Sequence, residues 1–349
     1  MYQFADGFDN YNTLSQLWQF TAGSPVIGSA YKRFAPPSGL AGQGLYLPSG
    51  AYARRNMISN QSTVIGKVAY YATATPTGSG AEIMGFPDAN TGGYQTALVW
   101  TPAGALELWT AWASPYLTLR ASTAPGIIAP NSYNGIEMLL TISTAAAGIV
   151  QVWVNGLEVM NVTGIITAPT SSGYVNQIQI SDGSIGCYYD DVRLWDSTGT
   201  TQNTPVGASL QDTRLITVLP AGPGAFTQFT PNGAAANWQC TDDNPPDGDT
   251  TYVSGSTAGL QDAYAMQNPL LTVSPLMVVG RSYARKDDSS TRSLGVGAAS
   301  AGVGSLGPTT ALASTYGFVD GCIPNDPSTG VPWTAAGANA AQHYKEEIV

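Results

Sequence analysis

The segment IVQVWVNGLEVMNV, Ile149–Val162, leaves little choice of local structure. Two runs rich in β-branched residues flank Asn155-Gly156, a pair suited to a two-residue type I′ turn whose central residues both need φ > 0. That turn sets a register: Val154 opposite Leu157, Trp153 opposite Glu158, Val152 opposite Val159, Gln151 opposite Met160. Side chains alternate across a strand, so Val150, Val152, Val154, Leu157 and Val159 share one apolar face. Gln151, Trp153, Glu158 and Met160 share a mixed one. One face belongs in a core and the other nearer solvent, as in an antiparallel sandwich. A slip of one residue would expose the valines, so the register is well specified.

The rest of the chain reads the same way. Its 40 Gly and 23 Pro punctuate short runs throughout, which points to an all-β protein. Strands are expected at 63–74, 83–86, 98–112 (two, around Pro102-Ala103-Gly104), 136–142, 178–180 and 187–196. In the last, Asp190 and Asp191 point to opposite faces, while Asp191 and Arg193 are placed to pair at the surface. Further strands are expected at 213–220, 251–253, 275–285 and 293–299. At 349 residues two domains are expected, and Ser197–Asp212, almost without apolar residues, is the candidate linker. Thr334 is placed to cap a short helix over Ala335–Glu347.

The charge balance, 13 − 23 = −10, argues against a phosphate-backbone binder and against a polybasic membrane contact. No apolar run reaches the length of a membrane span, and MYQFADGFDN carries Asp6 and Asp9 where a signal peptide needs basic and then apolar residues. The chain is therefore expected to be made in a reducing cytoplasm. Cys187, Cys240 and Cys322, widely spaced and odd in number, read as free thiols.

Several separated segments carry a resemblance. FADGFDNY near the start, VQVWVNGLEV and YYDDVRLWDSTG together resemble a concanavalin A/laminin-G-like jelly-roll sandwich. After the linker, DTRLITVLPAGPGAFTQFTP, DDNPPDGDTTYV, SYARKDDSSTRSLGVG and DPSTGVPWTAAGANA resemble segments of tailed-bacteriophage structural proteins. One departure is Asn244, where an acidic residue is expected before the paired prolines. The resemblance implies two antiparallel β-sandwich (jelly-roll) domains with a short C-terminal helix: 1–198 the lectin-like sandwich, 199–212 the linker, 213–349 a virion-assembly domain. It implies a virion component, in the tail or on the head.

The chemical motifs are weak. Gly302-Val-Gly304-Ser-Leu-Gly307 matches a dinucleotide fingerprint, but Pro308 follows and no βαβ alternation surrounds it, so a glycine-rich strand and turn is the reading. The one histidine, His343, reads as a solvated terminal residue, which leaves no nucleophile–His–acid set and no His-based zinc site. Retaining glycosidases need two carboxylates about 5–5.5 Å apart, and Glu82, Glu107, Glu137 and Glu158 read as isolated. Asp242, Asp243, Asp247 and Asp249 form a calcium candidate, set against the tight turn that the same residues favour. Trp109, Trp112 and Tyr116 are the candidate saccharide-binding residues, with Trp109 the most exposed by alternation; core packing is the competing role.

These readings converge on a non-enzymatic tail or fibre protein without cofactor, in contact with other virion proteins, its own copies and a host-surface glycan. Capsid decoration is the rival, and a carbohydrate-binding module or glycoside hydrolase the alternative of another class. Trp333 and Tyr344, in the terminal segment, are the expected assembly residues.

Overall fold

The computed structural model describes residues 2–34, 40, 42–90, 93–110, 118–181, 184–199, 204–205 and 213–348. It is all-β, and the chain divides into two compact units. The first comprises Met1–Asp9, Thr13–Ala35 and Gly42–Leu215; the second comprises Asn10–Asn12, Pro36–Ala41 and Ile216–Val349. Most of the expected linker lies outside the described residues.

The first unit opens with β1 (Tyr2–Asp6), β2 (Phe20–Ala22), β3 (Val26–Gly28), β4 (Gly44–Leu47) and β5 (Tyr52–Gln61). Then come β6 (Thr63–Ala72), β7 (Ala81–Asp88), β8 (Gly93–Trp100), β9 (Leu106–Thr110) and β10 (Thr118–Ser122). It closes with β11 (Asn134–Thr141), β12 (Gly148–Val154), β13 (Leu157–Ile165), β14 (Val175–Ser181) and β15 (Cys187–Asp196). Two antiparallel sheets result: β13-β12-β11-β6-β15-β4-β3, with β1 also on β15, and β10-β9-β8-β7-β14-β5-β2. Between them the buried alternate positions Val64, Val68, Tyr70, Met84, Phe86, Leu98, Trp100, Ile178 and Ile180 form the core.

The opening motif plugs that core. Asp6 accepts from the backbone of Phe8 (2.9 Å) and from the indole of Trp18 (2.8 Å), whose ring lies against Phe4 and Phe8.

The central hairpin forms as read at its turn. Asn155 and Gly156 have φ of 48° and 81°, and Val154 faces Leu157 while Trp153 faces Glu158. Beyond that a bulge at Val159 shifts the register, so Val152 faces Met160 and Gln151 faces Asn161. Val150, Val152 and Val154 are buried, but Leu157 is 69% exposed and Met160 is buried instead. The bulge turns β13, an edge strand, so that its faces no longer follow simple alternation.

Asp190 and Asp191 are also corrected. Opposite β6, β15 carries one extra residue between Asp190 and Arg193, and Asp191 adopts φ 53°. Both carboxylates are buried, and Asp191 pairs with Arg33 at 3.2 Å rather than with Arg193 at the surface. Arg33 and Arg193 donate to the carbonyl of Thr213, and the Leu215 amide donates to Asp191 (2.5 Å). The expected strand at 213–220 is absent before Pro220: side chains bond the backbone at Thr213 and Leu215, and Leu219 exchanges hydrogen bonds with Gln267.

The second unit has β16 (Pro220–Thr227), β17 (Thr230–Asn232), β18 (Tyr252–Ser254), β19 (Gln261–Met266) and β20 (Val278–Ala284). These precede β21 (Ser293–Ser300), β22 (Val303–Leu306), β23 (Thr310–Ala311), β24 (Gly317–Ile323), α1 (Ala335–Asn339) and β25 (Gln342–Glu347). Its main sheet runs β16-β19-β25-β21-β22, with β23 also on β21; β17–β18 and β20–β24 are two-stranded ribbons. The second ribbon approaches β21 closely: a Cβ on Gly321 would sit 1.6 Å from the carbonyl oxygen of Val296, and one on Gly280 would sit 2.3 Å from that of Gly297. The glycine-rich fingerprint is a hairpin, turning at Ala301-Gly302 (φ 49° and 79°) between β21 and β22.

The expected helix over Ala335–Glu347 stops at Asn339. Thr334 does cap it, accepting from the Gly337 amide at 3.0 Å, but Gln342–Glu347 is a strand paired on both sides, with β19 and with β21. Two open ladder edges outweigh the helical preference of a few residues.

Candidate functional site

One cluster of chemistry-bearing residues lies on one face of the sheet that contains β5, β7, β8, β9 and β14. Alternation in β14 sends Ile178 and Ile180 into the core and Gln177 and Gln179 to the opposite face. Direct pairing then builds one row across the whole sheet: Phe20, Arg54, Gln179, Gly85, Ala97, Trp109 and Leu119. Phe20 and Leu119 at its ends are each 46% exposed. At about 4.8 Å per strand the row from Arg54 to Trp109 covers roughly 19 Å.

Arg54 donates to Gln179 Oε1 from Nε (2.8 Å) and Nη2 (2.6 Å), and its guanidinium lies over the rings of Tyr52 (5.6 Å) and Tyr94 (5.7 Å). Gln179 donates in turn to Glu82 (3.3 Å) and to the Tyr94 hydroxyl. Gly85 makes the space: a Cβ there would meet Glu82 Oε1 at 2.4 Å and the Tyr94 ring at 2.8 Å. Burial raises the Glu82 carboxyl to about 8, against the pull of the Arg54 charge and the hydrogen bonds from Tyr94 and Gln179. Burial and then the Glu82 charge raise the Tyr94 phenol well above its ordinary value. At neutral pH both groups hold their protons, so the cluster offers hydrogen-bond donors and one positive charge.

Trp109 lies in this row, half-buried, with its indole donating to Glu107 at 2.9 Å. Trp112 and Tyr116 lie outside the described residues. Glu82 and Glu107, which read as isolated, both face Val99 from opposite sides and so share the same sheet face two strands apart. Sequence alternation pointed to Trp109 but missed Arg54, Tyr94 and Gln179, because only strand order brings four distant segments together.

The other candidates have different surroundings. Asp249 accepts from Arg285 (2.9 Å) and Tyr316 (2.7 Å), whereas Asp243 and Asp247 share the Thr251 hydroxyl at 2.8 and 3.1 Å. Asp242 stands apart from these bonds, its carboxyl raised by burial. Among the described residues no three His, Cys, Asp or Glu side chains gather to hold a metal ion.

Trp333 is 1% exposed, donates to the carbonyl of Ile323 (2.8 Å) and packs with Ala298 and Ala338. Tyr344 packs with Ala263 and Ala299. The structure thus places both in the core of the second unit rather than on a docking surface. His343 is not a solvated terminal residue: it stacks on Tyr264, contacts Ser282 Oγ through Nε2 (3.3 Å), and is lowered to about 3 by burial and then by Lys345. Cys187 and Cys240 are buried and Cys322 half-buried, and none of the three is in a disulfide.

No protein-family model matches the sequence, and no curated protein matches it. Among solved structures it is similar to the endo-β-1,4-glucuronan lyase of the fungus Trichoderma reesei: 12% identity, 56% of this chain, 95% of that one, TM-score 0.41. A conserved carbohydrate esterase from a Shiga toxin-encoding bacteriophage gives 10%, 55%, 98% and 0.35. A carbohydrate-binding module from Bacillus subtilis gives 10%, 49%, 95% and 0.32.

Proposed function

We propose that this chain is a non-catalytic structural protein of a tailed-phage virion, and that its first unit holds a saccharide along the Arg54–Trp109 row. The row carries the reading. Gln179, Gly85 and Ala97 in its middle are buried, with Glu82 and Tyr94 packed against Gly85. The groups a sugar would meet are therefore the half-buried Arg54, Tyr94 and Trp109: a guanidinium and two aromatic rings, a set that suits a ring of polar rim and apolar face. The virion assignment rests on the sequence motifs after residue 212. In the binding reading Glu82, held protonated by burial, is part of the hydrogen-bonded support of Gln179 and Tyr94 and not a base.

One observation favours a second reading. Glu82 and Glu107 lie on one sheet face two strands apart, both paired to Val99, and inverting glycosidases also set two carboxyl groups apart to leave room for a water. A carboxyl raised to about 8 is the right kind of general acid.

The experiment that separates the two is saccharide binding and reducing-end release on host-surface polysaccharide, with Arg54→Ala, Trp109→Ala and Glu82→Gln. The proposal expects binding weakened by about tenfold or more in the first two, and no release. Release that Glu82→Gln abolishes would establish the hydrolase instead. Location is tested by quantitative mass spectrometry of purified virions: the chain should be present at a defined copy number.

A further inference from the structure

The other sheet of the first unit carries a row that the Arg54–Trp109 face does not use. Val26, Tyr46, Tyr188 and Tyr71 are directly paired across β3, β4, β15 and β6. Tyr133, at the entry to β11, brings its ring to 5.3 Å from Tyr71, and Tyr31 lies 5.3 Å from Tyr46 and 5.1 Å from Tyr188. The rings of Tyr71 and Tyr188 are 5.0 Å apart and parallel within 8°. All five tyrosines are half-buried, while their neighbours Leu45, Leu47, Tyr70 and Tyr189 fill the core on the opposite face.

Ring packing alone does not account for phenols here, since phenylalanine would stack as well. The hydroxyls matter. That of Tyr133 donates to the carbonyl of Tyr31, but those of Tyr46, Tyr71 and Tyr188 have no protein partner among the described residues. Tyr71 and Tyr188 stack while Tyr46 and Tyr188 meet at 64°, so ring faces are taken up within the row and edges and hydroxyls are what is left for a ligand. Aromatic edges carry the positive end of the quadrupole and draw oxygen atoms, and each hydroxyl both donates and accepts. The row itself carries no charge. Of the ionic groups near it, Arg33 pairs with Asp191 at 3.2 Å and its backbone amide donates to Asp190 at 2.8 Å, while Lys32 adjoins Tyr31 in the chain.

We propose that this row is a second saccharide-binding face, which takes an uncharged, hydroxyl-rich glycan laid across β4, β15, β6 and the start of β11. It uses a different sheet from the Arg54–Trp109 row and stands or falls separately. An apolar partner would leave the hydroxyls unsatisfied; a glycan satisfies them from its own hydroxyls. The length fits a chain of a few sugars: three strand spacings from Tyr46 to Tyr133 cover roughly 14 Å.

The test is affinity electrophoresis of the full chain in dextran and in galactomannan, with alginate as the charged comparison. The altered protein is Tyr46→Phe/Tyr71→Phe/Tyr188→Phe, which keeps the rings and removes the hydroxyls. Retardation by at least one neutral polymer is expected, weakened by about tenfold or more in the triple variant, the effect of losing three modest hydrogen bonds. In the unaltered chain the same polymer should shield Tyr188 from iodination, a readout that needs no substitution. Absence of neutral-polymer binding, binding indifferent to the triple change, or an unshielded Tyr188 overturns the proposal. So does neutral binding that disappears with Arg54→Ala and survives the triple change. A dimer seen by sedimentation without saccharide, and dissolved by the triple change, would assign the row to a second copy and equally overturn it.

Discussion

Glu82 is a carboxyl group that the fold keeps from ionising. Its value rises from an ordinary 4.5 to about 8, chiefly by burial. The folded first unit therefore holds a proton that the unfolded chain has already released, and its stability falls as pH rises from 4.5 through 8. Burial, then the neighbouring Asp191 charge, raises Asp190 to about 8 and adds to the same decline. Glu82→Gln mimics the protonated form. We expect the variant to match the parent in urea unfolding at pH 4.5 and to exceed it by about 2–4 kcal/mol at pH 8.5; equal stability at both would mean Glu82 ionises freely. His343 gives the opposite slope. Lowered from 6.5 to about 3, it stays neutral in the folded second unit while the unfolded chain takes up a proton. Stability of that unit is full above pH 6.5 and lost as pH falls toward 3, and His343→Gln should flatten the loss when thermal unfolding is followed between pH 7 and pH 4.

At the scale of elements, the tightest demand is the turn at Asn155-Gly156. A Cβ at Gly156 is strained at φ 81°, so Gly156→Ala should cost about 1–2 kcal/mol in denaturant unfolding. Asn155 does more than tolerate its φ of 48°: its side chain accepts from the Gly135 amide at 2.8 Å, tying the turn to β11. Asn155→Gly should therefore also destabilise, although it relieves the backbone; no loss would show that the side-chain bond is dispensable. β25 makes a larger claim. It lies between β19 and β21 and carries Tyr344, Lys345 and Glu347 into buried positions. Ending the chain at Ala341 opens the main sheet of the second unit down its middle. Loss of that unit's cooperative unfolding by calorimetry is expected, whereas an unaltered transition would mean the strand is an appendage.

For the whole molecule, two units with separate cores predict two resistant fragments. Limited proteolysis should cut first within 199–212, whose sequence lacks the apolar residues needed to bury its backbone. An earlier cut inside Val150–Val162 would contradict the hairpin's place within the first unit. A chain with about a tenth of its residues charged also has surface that is cheap to desolvate, which suits contact with neighbouring proteins or with glycan.

The sequence by itself determined what is local. Asn155-Gly156 dictated a type I′ turn, Gly and Pro spacing dictated short strands, and Thr334 dictated a cap, because each depends on backbone preferences within a few residues. Tertiary structure decided what depends on strand order and edge pairing. It drew Gln342–Glu347 into a sheet against the expected helix, and it turned Asp191 inward through a bulge. It also set Arg54, Gln179, Gly85 and Trp109 in one row and Tyr46, Tyr188 and Tyr71 in another. No periodicity announces such rows, because their members lie tens of residues apart and meet only when long-range pairing chooses their neighbours.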